Sequence, residues 1–274
     1  MLIFPTYQTI LTKPAATSSF SGVTTNLTAH WDLGNSSSYS AATGVAINDL
    51  TNNNNDGSIV NSSNFSYSSS NGGHGVINSS ATSNYCFLRR DTDYIKDVGT
   101  DDFTIEYWWN LYWDERGADN ADDINSFFKN LPNNSSPYAE NVDIQIRSGK
   151  LRVSNWLAAS GETSAGSWTY LDSSAVYTLN SYNGWEHVVL SRIGTDNNNM
   201  KFYRNNSLIH TWTNKARYDD ANTSSSDRRT SFGLYNDKYY AVGKFAIYRF
   251  YTGTGLTSSQ VTTNYNVDKS RFGL

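Results

Sequence analysis

Cysteine, methionine, histidine and proline are all scarce in this 274-residue chain, with one, two, four and four copies. The lone Cys86 has no partner in its own chain, which excludes a small disulfide-stapled scaffold. Its expected state is a free thiol on a core strand. Cys86, His30, His74, His187 and His210 show no metal-ligand spacing. No Gly-x-Ser-x-Gly and no phosphate-binding glycine loop occurs, so these side chains read as isolated surface or core residues. Charge is sparse too. Acidic and basic side chains make up 17% of the chain, 21 basic against 25 acidic, for a formal net charge of −4. A nucleic-acid binder would carry a basic stripe, and that partner is excluded. Mean hydropathy is −0.57, and no apolar run reaches the roughly 18 residues that a membrane span requires. Residues 1–20 lack a basic segment leading into a long apolar stretch, because Lys13 and Pro14 fall where one would continue. No secretory signal is expected.

What is abundant is aromatic and small polar. Eight Trp, 19 Tyr and 12 Phe make 14% of the residues, more than a disordered chain carries. Asn, Ser and Thr supply the solubility and favour strands joined by many turns. Phe103, Ile105, Tyr107, Trp109 and Leu111 alternate with Thr104, Glu106, Trp108 and Asn110. That strand has aromatics on both faces, so its sheet is covered on both sides or borders an aromatic groove. Residues 143–147 and 150–154 form the clearest hairpin, with Ser148 and Gly149 at the turn. A second hairpin is expected about Asn205 and Asn206, because Asn tolerates the positive φ of such turns. One helix is expected after Thr257, where Thr-Ser-Ser-Gln spells a capping box. Many short strands with one terminal helix predict an all-β sandwich.

The chain divides into an N-terminal arm, residues 1–22, and one sandwich domain, residues 23–274. The arm carries Leu2, Ile3, Phe4, Tyr7, Ile10 and Leu11 without a period, and Pro5 and Pro14 interrupt any helix. It packs as an extra strand on its own sheet or docks on a neighbouring subunit.

Several segments resemble one family when taken in order: residues 23–33, 39–57, 68–78, 103–108 (Phe-Thr-Ile-Glu-Tyr-Trp), 185–189 (Trp-Glu-His-Val-Val), 200–206, 243–251 and 256–266. They look like the laminin-G-like, concanavalin A-like lectin/glucanase superfamily. They are most similar to versions found in structural proteins of tailed phages, which also end in Asn-Tyr-Asn, a short basic stretch and Arg-Phe-Gly-Leu. The resemblance implies a two-sheet jelly-roll sandwich. It implies a non-enzymatic virion surface protein, a capsid decoration or fibre component, assembled in the host cytoplasm. Its partners would be other virion proteins or further copies of itself. The rival expectation is an adhesin that binds host-surface glycans, and a weaker one is a glycan hydrolase. Fold alone does not choose between them.

Three sets of residues carry these expectations. Asp49, Asn53, Asn55 and Asp56 crowd a turn that offers oxygens to a structural calcium ion, as a related loop does in the family. The family's second acidic ligand is missing, since residues 243–251 contain Lys244 and Arg249 but no carboxylate. The competing reading is a turn closed by its own side chains. Trp113, Asp114, Trp156, Trp168, Tyr170, Tyr218 and Asp219 lie at strand ends or in loops, where they would stack on sugars or bury against protein. Trp31, Trp108 and Trp185 are expected in the core. Hydrolysis needs two nearby carboxylates. The glucanase pattern Glu-x-Asp-x-x-Glu is absent, and Glu106 stands alone in its strand.

Overall fold

The computed structural model describes residues 20–42, 44–78, 87–90, 102–113, 125–132, 142–147, 149–157, 167–175, 177–178, 181–194, 200–212, 228–232, 234–235, 239–240 and 242–274. The chain runs through β1 (Leu27–Asp32), β2 (Ala46–Ile47), β3 (Gly57–Val60), β4 (Phe65–Ser68), β5 (His74–Asn78) and β6 (Phe87–Arg90). Next come β7 (Phe103–Trp113), β8 (Asn125–Pro132), β9 (Val142–Arg147), β10 (Lys150–Leu157), β11 (Ser167–Ala175) and β12 (Ser181–Tyr182). Then follow β13 (Glu186–Arg192), β14 (Met200–Arg204), β15 (Ser207–Trp212), β16 (Arg228–Phe232), β17 (Leu234–Tyr235), β18 (Tyr239–Tyr240) and β19 (Val242–Thr252). The helix α1 (Ser258–Asp268) and a short 3-10 turn (Lys269–Phe272) complete the described chain.

Two antiparallel sheets result, as the alternating pattern predicts. One has the order β15-β14-β13-β7-β19-β5-β4, with β1 also on β19 and β12 also on β7. The other has the order β11-β10-β9-β8-β16-β6-β3-β2, and β17 and β18 pair apart from both. The face of β7 turned toward the other sheet is the one that alternation groups as Phe103 to Leu111. Phe103, Ile105, Tyr107, Trp109 and Leu111 are all buried and pack with Val188, Leu190 and Trp31 of their own sheet. The second sheet contributes Ile47, Ile59 and Ile144 to the same core.

The other face of β7 is covered by α1 and the 3-10 turn. Trp108 stacks on Phe272, with ring centroids 4.4 Å apart, and on Tyr265 at 5.9 Å. This covering explains why both faces of the strand read as aromatic. The helix starts where predicted: Thr257 accepts from the Gln260 N–H and Gln260 accepts from the Thr257 N–H, a cap worth about 1 kcal/mol. The second hairpin turns at Asn205 and Asn206, with φ of 48° and 65°.

One feature of β19 is invisible to alternation. A bulge between Phe245 and Ile247 shifts its register on β7. The core side passes from Phe245 to Tyr248 and Phe250, while Ala246 and Ile247 pack under the 3-10 turn with Trp108. Trp31 and Trp108 are core residues as expected, whereas Trp185 is only partly buried, against Trp108 and Phe272. Cys86 and the arm residues Leu2, Ile3, Phe4, Tyr7, Ile10 and Leu11 lie outside the described residues. At the end of the arm Phe20 lies over the Arg249 guanidinium at 3.9 Å, and just beyond the arm the Val23 N–H donates to Asn264 Oδ1 at 2.8 Å.

Candidate functional site

Three of the aromatic residues expected to meet a sugar come together on the second sheet. In the β10–β11 pair Trp156 stands directly opposite Trp168, and Ser154 opposite Tyr170. Opposed residues and residues two apart share a face, so Trp156, Trp168 and Tyr170 share one. Val153 stands opposite Ile144, which is buried in the inter-sheet core. Alternation therefore places Ser154 and Trp156 on the face turned away from that core. Opposed Cα atoms lie about 4.5–5.5 Å apart and alternate ones about 7 Å apart, the scale of one or two sugar rings. Asp143 lies opposite Ser154, and Arg152 lies opposite both Gln145 and Asp172. Polar register positions thus adjoin the aromatic ones. The strand β11 ends the sheet order. Trp113 does not join this group: it ends β7 in the other sheet, opposite Ser181. Asp114, Tyr218 and Asp219 lie outside the described residues.

The Asp49–Asp56 turn does not fit calcium. Asp49 is fully buried. Its Oδ1 accepts from the His30 N–H at 2.9 Å and the Thr51 N–H at 3.0 Å. Its Oδ2 accepts from the Thr51 hydroxyl at 2.5 Å and the Asn55 N–H at 2.8 Å. Asp56 Oδ1 accepts from the Asp49 N–H at 2.7 Å. The Asn53 amide donates to the Thr28 carbonyl at 3.0 Å, and the Asn55 amide donates to the same oxygen. Asn55 Oδ1 is buried without a donor, but one such oxygen falls short of the six to eight that calcium takes. The turn is closed by its own side chains, as the competing reading had it, and it pins β1.

The histidines are not isolated, and Glu106 does not stand alone. The outward face of the first sheet carries a buried ionic cluster beneath α1. Glu106 Oε1 lies 2.7 Å from Arg249 Nη1 and 3.0 Å from His187 Nε2, while Oε2 accepts from the Asn264 amide at 2.7 Å. Arg249 also donates to Asp268 Oδ2 at 2.7 Å and to His30 Nε2 at 3.3 Å. Burial by itself would raise the Glu106 pKa. Arg249, His187 and Asn264 outweigh it and hold the carboxyl at about 2. The Arg249 pKa is raised against the effect of burial by Glu106 and Asp268. Burial and then Arg249 lower the His30 pKa well below the usual imidazole range. Glu106 and Arg249 are at most 1% exposed. This cluster ties α1 to the sheet and offers no open face to a substrate. Sequence reasoning missed it because its bonded members lie up to 219 positions apart. The only local signal was a charge at strand positions that otherwise read as apolar.

A second buried carboxylate lies on the core side of the same sheet. Glu186 Oε2 accepts from the Tyr177 hydroxyl at 3.0 Å and Trp109 Nε1 at 3.3 Å, and Oε1 accepts from Arg204. Burial raises its pKa, opposed by Arg204.

No family model and no curated protein matches the chain. Solved structures do match its fold. The binding domain of Paraclostridial Mosquitocidal Protein 1 superposes with a TM-score of 0.59 at 14% identity, over 88% of this chain and 52% of that one. Domain 4 of AbnA, a GH43 extracellular arabinanase from Geobacillus stearothermophilus determined with arabinotriose, gives 0.54 at 18% identity, over 89% and 98%. Trypanosoma rangeli sialidase gives 0.58 at 11% identity, over 91% and 34%. The chain spans about half the length of the mosquitocidal binding domain and nearly all of the arabinanase domain. It shares their β-sandwich fold.

Proposed function

We propose that this protein is a carbohydrate-binding β-sandwich that holds glycans on the outward face of β10–β11 without cleaving them. The observation that carries the reading is the cross-strand pairing of Trp156 with Trp168, with Tyr170 two positions along on the same face. Pyranose rings present flat apolar faces that complement such rings, and flanking polar residues serve the hydroxyls. The neighbours support this reading. The arabinanase domain was determined with arabinotriose, and a similar structure concerns botulinum neurotoxin type C and its interaction with two ganglioside molecules. Binding without hydrolysis is supported by Glu106 and Glu186, whose carboxylates are buried and engaged by protein donors. The virion setting implied by the sequence resemblance has no counterpart among these neighbours.

A glycan array on the purified protein, followed by titration of the best ligand into Trp156→Ala and Trp168→Ala, tests the proposal. Loss of a stacking anchor costs about 2 kcal/mol, or roughly thirtyfold in Kd. Equal affinity in both variants and the parent rejects the site. Release of reducing ends from the bound glycan rejects the non-catalytic part of the proposal.

A further inference from the structure

The outward face of the second sheet is basic. Ile59 and Ile144 are buried in the inter-sheet core and fix the sheet's inward register. Alternation from them gives the outward positions. Lys129 stands there opposite Asp143, Arg152 opposite Asp172, and Arg147 opposite Lys150. Arg89 stands there opposite Ser58 and Ser231, and Arg229 opposite Leu131. Among the described strand positions the outward face thus holds these six bases and two acids, in a chain whose acids outnumber its bases 25 to 21. Each of the two acids has a base opposite. Arg147 and Lys150 have each other, and on its far side Lys150, which is partly exposed, stands opposite Ala175. Like charges directly opposed destabilise a sheet, and an anion bound between them reverses that cost.

The basic positions continue the aromatic ones. At about 3.3 Å per residue Trp156 lies roughly 20 Å from Lys150 along β10, the length of about four sugar rings. Between them come Ser154, flanked by Tyr170 and Asp143, and Arg152, flanked by Asp172 and Gln145. We propose that the glycan held on this face is acidic: an oligosaccharide stacked on Trp156 and Trp168 whose carboxylates reach Arg152, Arg147 and Lys150. The inference rests on the glycan-binding reading and names its ligand class. Asp143 and Asp172 accept from sugar hydroxyls and repel any anion set beside them. The face therefore suits a chain with a carboxylate on alternate sugars. It suits less well a nucleic acid, whose every residue carries a phosphate.

The test is titration of the full chain with hexasaccharides of hyaluronan, chondroitin and heparosan, each beside its carboxyl methyl ester, and with oligothymidylate. The parent is compared with Trp156→Ala and with the double variant Arg147→Gln/Lys150→Gln, each checked by circular dichroism. The double variant should fold, since it relieves opposed like charges. The parent is expected to bind at least one acid about tenfold more tightly than its ester, from three exposed charge pairs at roughly twofold each. The double variant should cut that preference to about twofold and keep the ester's affinity, while Trp156→Ala should weaken acid and ester alike. A parent that binds acid and ester equally overturns the inference, as does a preference untouched in the double variant. Oligothymidylate bound as tightly as the best hexasaccharide also overturns it, by making the face a general polyanion surface. If the arrayed glycans that bind through Trp156 are all neutral, the inference falls and the glycan-binding reading stands. A parent that binds neither these sugars nor any arrayed glycan overturns both.

Discussion

Glu106 and Glu186 are both buried carboxylates of the first sheet, one on each face, and their pKa values move in opposite directions. Desolvation pushes both upward. The difference lies in the company. Glu106 has a guanidinium as buried as itself, with an imidazole and an amide, and all of its contacts are sealed under α1. Glu186 has Arg204, whose side chain is 22% exposed and shares its charge with water. A buried charge is held in the ionised state by a partner that is also denied solvent; a solvated partner repays less of the cost.

The largest expected effect comes from removing the partner that decides the contrast. Arg249→Met leaves the buried Glu106 and the half-buried Asp268 without their cation. It should cost about 3–5 kcal/mol in denaturant unfolding. A cost below about 1 kcal/mol would mean that the cluster does not hold α1.

The pH dependence gives the contrast a sign. The folded value of Glu106 lies below the unfolded one, so its contribution is present above about pH 4.5 and is lost as pH falls toward 2. The loss is on the order of 3 kcal/mol. The folded value of Glu186 lies above the unfolded one, so the stability it lends belongs to the protonated form and declines as pH rises through that folded value. A series of Tm values from pH 2 to 8 should show Glu106→Gln flattening the acid limb. Glu186→Gln should instead remove a decline that sets in above about pH 4.5. Identical profiles for the two variants would break the comparison.

At pH 7 Glu186→Gln should cost about 1–2 kcal/mol, less than Arg249→Met, because the amide oxygen still accepts from Tyr177 and Trp109 while its N–H groups face Arg204. A loss comparable with that of Arg249→Met would place Arg204 and Glu186 among the strong pairs. The smallest effect concerns a third buried carboxylate, Asp49, which is met by N–H and O–H donors alone. Chelator should leave Tm unchanged within about 1 °C, since a calcium-dependent turn would lose its ligand stabilisation by mass action.

Much of the fold was legible in the sequence where structure is local. The two-faced pattern of β7, the Thr257 capping box and the Asn205–Asn206 turn each follow from a few neighbouring residues. The β19 bulge was not legible, because it depends on how Phe245 and Ile247 meet Trp109 and Trp108 of a strand far away in sequence. The Glu106 cluster failed to show for the same reason. Of the site, composition marked Trp156, Trp168 and Tyr170 as candidates, but only register put them together and sent Trp113 to the other sheet. The Asp49 turn shows the converse error. Oxygen-rich composition suits an ion and a self-bonded turn equally, and only the direction of each donor separates them.

The position of β1 has a consequence for synthesis. Its sheet partner is β19, and the Thr28 and Thr252 hydroxyls that meet there at 2.6 Å are 224 residues apart. A ribosome adding about 5–20 residues per second takes roughly 11–45 s to cover that distance. For that interval Trp31, and the turn held by Asp49, wait without the strand that seats them. A chaperone that shields residues 27–56 during that wait should raise the yield of folded protein more than one acting after release.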